Sequence, residues 1–174
     1  MLNEIFRNLL AKKKTKAFPG EFSITPEQTA MIVDFQKKIA TIFGRSLRIR
    51  QVDAGSCNAC EWECTALLNP IYDIQRFGLD FVASPRHADV LLVTGPVSRQ
   101  MELALKRTYI ATPEPRLVVA CGDCAKDGGI YRGSYAVTNG VANVIPVDAY
   151  IPGCPPTPIA IIMGLKQLIY KHTR

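Results

Sequence analysis

Six cysteines fall into three short groups along this 174-residue chain. Cys57, Cys60 and Cys64 follow the run 47–52, Cys121 and Cys124 follow 117–120, and Cys154 sits in Pro152-Gly153-Cys154-Pro155-Pro156 just after 144–151. Each preceding run reads as a β-strand. In an open parallel sheet, ligands bind outside the carboxyl ends of the strands. Thiols carried to that edge by distant parts of the chain point to a metal or iron–sulfur site.

Each group has its own chemistry. Cys57-Asn58-Ala59-Cys60 is a C-x-x-C pair at the start of a predicted helix. The free amides and dipole of a helix N-terminus favour thiolate, the form that binds iron. Gly55 lets the backbone approach a bulky group closely. In Cys121-Gly122-Asp123-Cys124-Ala125-Lys126-Asp127-Gly128-Gly129, glycines permit a tight turn and expose amide donors. Such donors tune a cluster's reduction potential, although a plain strand-to-helix turn has the same composition. Cys154 lies in a rigid proline turn, a poor setting for an accidental core thiol. Spacing alone leaves three other readings open: a thioredoxin-like dithiol, structural zinc held by four thiolates, and inert buried cysteines.

The elements that must position these groups alternate between strand and helix. An extension over 1–20 ends in Phe18-Pro19-Gly20. Thr25 then caps a helix, with Pro26 in its first turn, that runs to about Phe43 and stops at Gly44. A strand over 47–52 leads through a loop to a helix over 61–69, ended by Pro70. A short strand follows at 80–83 and a continuous apolar run at 88–93, the pattern of a strand covered on both faces. A helix opens at Pro96 and reaches about Ile110. Further strands fall at 117–120 and 144–147, and a last helix at 155–170. This order predicts an α/β fold, a parallel sheet flanked by helices, with residues 21–174 as a single domain.

Composition is ordinary for a globular chain, 48% hydrophobic and 21% charged. No apolar run reaches the length needed to span a bilayer. Residues 1–16 lack the apolar core and cleavage site of a signal peptide, which leads us to expect a cytoplasmic location and reduced thiols. Charge is uneven. Residues 1–50 hold ten Lys/Arg against four Asp/Glu, and the remainder holds eleven of each. The lysines at 12, 13, 14 and 16 follow Leu2, Ile5, Phe6, Leu9 and Leu10, spaced as on one helix face. That is a basic amphipathic extension, either simply solvated or suited to anionic lipid or an acidic subunit. No nucleic-acid motif accompanies the charge, so no nucleic-acid partner is expected.

Several segments together resemble the small subunits of [NiFe] hydrogenases. They are Asp53-Ala54-Gly55-Ser56-Cys57-Asn58-Ala59-Cys60-Glu61, Gly122-Asp123-Cys124-Ala125 with Gly128-Gly129, and Pro152-Gly153-Cys154-Pro155-Pro156. Ser84-Pro85-Arg86-His87-Ala88-Asp89 with the following Val90–Gly95, and Asp148-Ala149-Tyr150-Ile151, are similar too. The resemblance covers about residues 45–168. It is to the membrane-bound, energy-converting branch that includes formate hydrogenlyase and is related to the cluster-bearing small subunit of complex I.

The resemblance implies a flavodoxin-like sheet with one [4Fe–4S] cluster at the carboxyl ends of its strands. The ligands it implies are Cys57, Cys60, Cys124 and Cys154. Cys124 takes the G-x-C-A position that Cys121 does not, a choice that spacing cannot make. Cys64 and Cys121 are then buried thiols or spectators, and Ala59 stands where the family often has glycine. Two residues separate the first cysteine pair, which are adjacent in complex I, and this favours the hydrogenase branch. The implied role is electron relay between a Ni–Fe centre on a large subunit and a ferredoxin-like iron–sulfur subunit. The implied setting is a complex with integral membrane subunits, bound peripherally on the cytoplasmic side, with no distal clusters on this chain. A nickel-free, complex-I-like subunit passing electrons to quinone or ferredoxin remains the alternative, with a zinc module behind it.

Other residues are weaker candidates. Glu61 lines the partner interface or is an ordinary first-turn carboxylate. Arg76 and Arg86 place charge near the cluster or sit on the surface. His87 is expected as a strand-edge residue rather than a ligand. Thr94-Gly95 walls the pocket or is an ordinary strand-to-loop junction.

Overall fold

The structure, a computed structural model, describes residues 26–172. The basic extension and the Thr25 cap lie outside the described residues. The first described helix, α1 (Pro26–Phe43), ends where Gly44 turns left-handed at φ +66° and donates its amide to the Ala40 carbonyl at 2.8 Å. Glycine there avoids the Cβ clash of that conformation.

Five strands follow, β1 (Leu47–Asp53), β2 (Leu79–Phe81), β3 (Val90–Thr94), β4 (Leu117–Cys121) and β5 (Ala149–Ile151). They lie side by side in the order β2-β1-β3-β4-β5, and every pair is parallel. This is the flavodoxin-like order expected from the resemblance. Four helices connect or close the sheet: α2 (Ala59–Ala66), α3 (Arg99–Ala111), the short α4 (Asp123–Asp127) and α5 (Pro158–His172).

Alternation along the strands builds two cores. Val90 and Leu92 of β3 join Phe35 and Ile39 of α1, Cys64 and Leu67, and Ile161 and Leu165 of α5 on one face. Leu91 and Val93 join Val97, Leu105 of α3 and Ala125 on the other. All five residues of β3 are buried. A strand covered on both sides must read as an uninterrupted apolar run, which is why 88–93 is legible in the sequence.

Carboxylates fix the amino ends of the central strands. Asp89 accepts from Nη1 and Nη2 of Arg45 at 2.7 and 2.9 Å and from the Arg48 amide at 2.9 Å. Asp148 accepts from the Val118 amide at 2.7 Å.

Several expected boundaries shift. Residues 144–147 are not a strand. They follow a 3-10 turn at Val141–Asn143, and the last strand forms only at Ala149–Ile151. Pro146 has no N–H to give a ladder, while Ile145 is buried in the second core instead. The helix expected from Pro96 starts at Arg99, because Val97 takes φ +56° and its carbonyl accepts from the Thr138 amide at 2.8 Å. The last helix starts at Pro158 rather than Pro155. The helix expected over 61–69 is Ala59–Ala66, and the short strand is Leu79–Phe81.

Asp89 carries both an ion pair and a backbone bond, so the two partners should differ when truncated. Asp89→Ala is expected to cost about 1–3 kcal/mol, since it strands the Arg48 amide. Arg45→Ala, on a side chain 40% exposed, is expected to cost about 0–1 kcal/mol. Urea unfolding of both variants measures the difference.

Candidate metal centre

The carboxyl ends of β1, β3, β4 and β5 all open on the same edge, and the loops leaving them meet there. After β1, Asp53 folds the chain back by accepting from the amides of Gly55 and Ser56 at 2.8 and 2.9 Å. A side chain at Gly55 would lie 2.6 Å from Ser98 Oγ. Ser56 Oγ accepts from the Asn58 amide at 3.0 Å, and Asn58 turns left-handed at φ 72°. The chain then enters α2 with Cys60 in its first turn. Gly95, after β3, packs against Ser56 so closely that a Cβ would sit 2.8 Å from its amide.

The loops after β4 and β5 lock to each other. Asp123 donates its amide to the Gly153 carbonyl at 2.9 Å, and Gly153 donates its own to Asp123 Oδ1 at 2.9 Å. Gly122 donates to the Ile151 carbonyl at 2.8 Å. This reciprocal clamp fixes Cys124 and Cys154, thirty residues apart, against one another.

The result is one cleft whose walls include Cys57, Cys60, Cys124 and Cys154, with Ser56, Ala59, Gly95, Asp123, Gly153 and Pro155. Its enclosed space is small, about 10 Å³. Cys57 and Cys154 are exposed at its mouth, and Cys60 and Cys124 are half-buried. Among the described residues no three His, Cys, Asp or Glu side chains gather tightly enough to hold a single metal ion. The four thiols border a cleft rather than converge on a point.

Two glycines make room for the sulfurs. A Cβ at Gly122 would meet Cys60 Sγ at 2.8 Å, and one at Gly129 would meet Cys124 Sγ at 2.9 Å. Both glycines also have positive φ. Four thiols held in such a cradle fit the donor set of an iron–sulfur group.

The sulfurs sense each other electrically. Burial pushes the Cys60 thiol up to about 12, and the charges of Glu61, Cys64, Cys124 and Cys57 add to the rise. Cys124 is also raised, by burial and then by Cys154, while a hydrogen bond from the Ile130 amide pulls it down. Thiolates crowded together in a half-dry cleft need a cation to offset their repulsion.

Cys64 and Cys121 lie inside the protein, at 1% and 0% exposure. A hydrogen bond with Cys64, then burial, drives the Cys121 thiol far above its ordinary range. They belong to the apolar core and not to the cleft.

The other candidates separate. Glu61 sits in the first turn of α2 and accepts a hydrogen bond from Thr94 Oγ1 at the end of β3. Its Oε2 is buried without a partner. Gly95 lines the cleft, whereas Thr94 stands behind it through Glu61. Arg76 pairs with Asp73 at 3.1 Å, in a turn that leads to the start of β2. Arg86 and His87 are exposed in a turn just before the start of β3, the opposite edge from the thiols. Arg76 and Arg86 both lie in turns that precede strands, away from the loops that carry the thiols. The Asp123–Gly153 clamp and the Glu61–Thr94 bond went unseen in the sequence, since both join residues about thirty apart.

Thiol reactivity should follow this layout in the metal-free chain. A small alkylating reagent is expected to modify Cys57 and Cys154 first and Cys60 later, with Cys64 and Cys121 reacting only on unfolding; peptide mass mapping reads the order. Stability should fall as pH rises from about 9 towards 12. The unfolded Cys60 thiol ionises near the ordinary 9.0 and the folded one only near 12, so over that window the unfolded chain binds fewer protons. Denaturant melts across pH check this.

Comparison with known proteins accords with the geometry. The chain is 41% identical over 162 residues to formate hydrogenlyase subunit 7 of Escherichia coli (strain K12), covering 93% of this chain and 62% of that protein. It is 45% identical to the "Probable membrane-bound hydrogenase subunit mbhJ" of Pyrococcus furiosus, covering 78% of this chain and 83% of that one. Its fold matches a chain of the membrane-bound sulfane sulfur reductase, an archaeal respiratory membrane complex. There the TM-score is 0.64 and the identity 33%, over 82% of this chain and 75% of the other. A chain of an NAD+-reducing [NiFe]-hydrogenase shares the fold at TM-score 0.56 and 21% identity, over 73% and 93% of the two chains. Residues 57–168 match the family described as NADH ubiquinone oxidoreductase, 20 Kd subunit, and with these relatives they show that the chain belongs to that family of oxidoreductase-complex subunits.

Proposed function

We propose that Cys57, Cys60, Cys124 and Cys154 hold one [4Fe–4S] cluster, and that the chain relays electrons for a membrane-bound [NiFe] hydrogenase. The observation that carries this is the meeting of these four thiols, from three loops, in one cleft beside glycines that leave the sulfurs room. Such a cluster, when bound, takes up and gives back single electrons. The protein's part is to hold and tune it. Cys60 and Cys124 supply half-buried thiolates, Cys57 and Cys154 supply exposed ones, and the Ile130 amide hydrogen-bonds the Cys124 sulfur and stabilises its charge.

The mouth of the cleft is also the face we assign to partners. Ile130, whose amide bonds the Cys124 sulfur, is 78% exposed. An exposed apolar side chain beside an open thiol cleft suits a covering protein. In this reading a large subunit with a Ni–Fe centre covers the cleft, and a ferredoxin-like iron–sulfur subunit lies beyond. The relatives named as membrane-bound hydrogenase subunits support that setting. No described helix is long and apolar enough to cross a membrane, and we place the chain peripherally, against integral membrane subunits on the cytoplasmic side.

The likeness to a sulfane sulfur reductase chain favours a second reading, in which the same cleft serves a nickel-free complex. The cluster assignment is common to both.

Cys154→Ala is expected to abolish the cluster's absorbance and electron paramagnetic resonance signal and to remove hydrogen turnover. Cys64→Ala, which removes one buried sulfur atom from the core, is expected to keep the signal and to cost about 1–3 kcal/mol of stability. Equal loss of signal in the two variants would contradict the ligand assignment. An intact signal in a complex without nickel and without hydrogen turnover would favour the second reading.

A further inference from the structure

A carboxylate is built into the wall behind the thiol cleft. Glu61 follows Cys60 directly in the first turn of α2, and its Oε1 accepts a hydrogen bond from Thr94 Oγ1 at the end of β3. Thr94 is fully buried, and the next residue, Gly95, lines the cleft as Cys60 does. The bond therefore joins two residues that each adjoin a cleft wall. It holds the carboxylate inside the protein and away from the mouth, where Cys57 and Cys154 are exposed.

Nothing in the chain cancels this charge. Glu61 Oε2 is sealed from solvent and accepts no hydrogen bond. Among the described residues no lysine or arginine pairs with Glu61, and none lines the cleft. Asp123, which also lines the cleft, differs, because its Oδ1 accepts from the Gly153 amide in the clamp. A charge shielded from water and counter-ions keeps its field over several ångströms. It also costs stability. Packing alone does not require it, since glutamine fills the same space and accepts the same hydrogen bond from Thr94.

We propose that Glu61 sets the reduction potential of the cluster, its carboxylate holding that potential down and Thr94 positioning it. The inference rests on the cluster reading above. Local charge is one of the terms that fix an iron–sulfur group's potential. Reduction adds negative charge, and a fixed anion behind Cys60 opposes it. A lower potential makes the relayed electron a stronger reductant.

Potentiometric electron paramagnetic resonance of the purified complex tests this, read on the signal that Cys154→Ala removes. Glu61→Gln is expected to favour the reduced cluster at least about tenfold, an upward shift of about 59 mV for one electron. Glu61→Asp keeps the charge and is expected to stay within about threefold of wild type. A purely structural role predicts the reverse order, because glutamine preserves the shape and the Thr94 bond whereas aspartate does not. Glu61→Met, uncharged and similar in length, is expected to shift the potential upward too, and it decides the matter if the glutamine variant does not assemble. An unmoved or lowered potential in the uncharged variants, or an equal shift in Glu61→Asp, would overturn the proposal. Absence of any such signal from the wild-type complex would instead overturn the cluster reading beneath it.

Discussion

Four sulfurs that share a half-buried cleft repel one another as soon as they ionise, and the surrounding structure is built to hold them together despite this. Cys60 and Cys124 are both raised by burial and by neighbouring thiolates. Left alone they stay protonated. A multivalent cationic centre reverses the balance, because each thiolate then gains more from the metal than it loses to its neighbours. The hydrogen bonds of the loops matter for this reason. Asp53 folds the first loop, and the Asp123–Gly153 exchange binds the other two. Without that rigidity the sulfurs would drift apart and the site would have to be assembled by the metal itself.

The fold supplies the convergence. In the order β2-β1-β3-β4-β5 the loops after β1 and β3 diverge, and the crevice between them is where this class of sheet takes its ligands. Three glycines complete it. Gly95, Gly122 and Gly129 each stand where a Cβ would press within 2.9 Å of a backbone amide or a sulfur. Behind the cleft, the Thr94–Glu61 bond ties the end of the central strand to the first turn of the helix that carries Cys60.

Much of this was legible in the sequence, for identifiable reasons. The strand at Val90–Thr94 shows because both its faces are covered. The helix end at Gly44 shows because only glycine takes that conformation easily. The separation of Cys64 and Cys121 from the other four came from the family resemblance and not from spacing. What stayed hidden depends on contacts between distant residues. Pro146 delayed the last strand to Ala149, and Val97 took a left-handed turn that moved a helix start to Arg99.

The most direct test of the four-cysteine account is iron, acid-labile sulfide, nickel and zinc analysis of the complex purified anaerobically through this chain. The account predicts iron and sulfide together, lost in proportion when Cys57, Cys60, Cys124 or Cys154 is replaced. Zinc without iron or sulfide would contradict it.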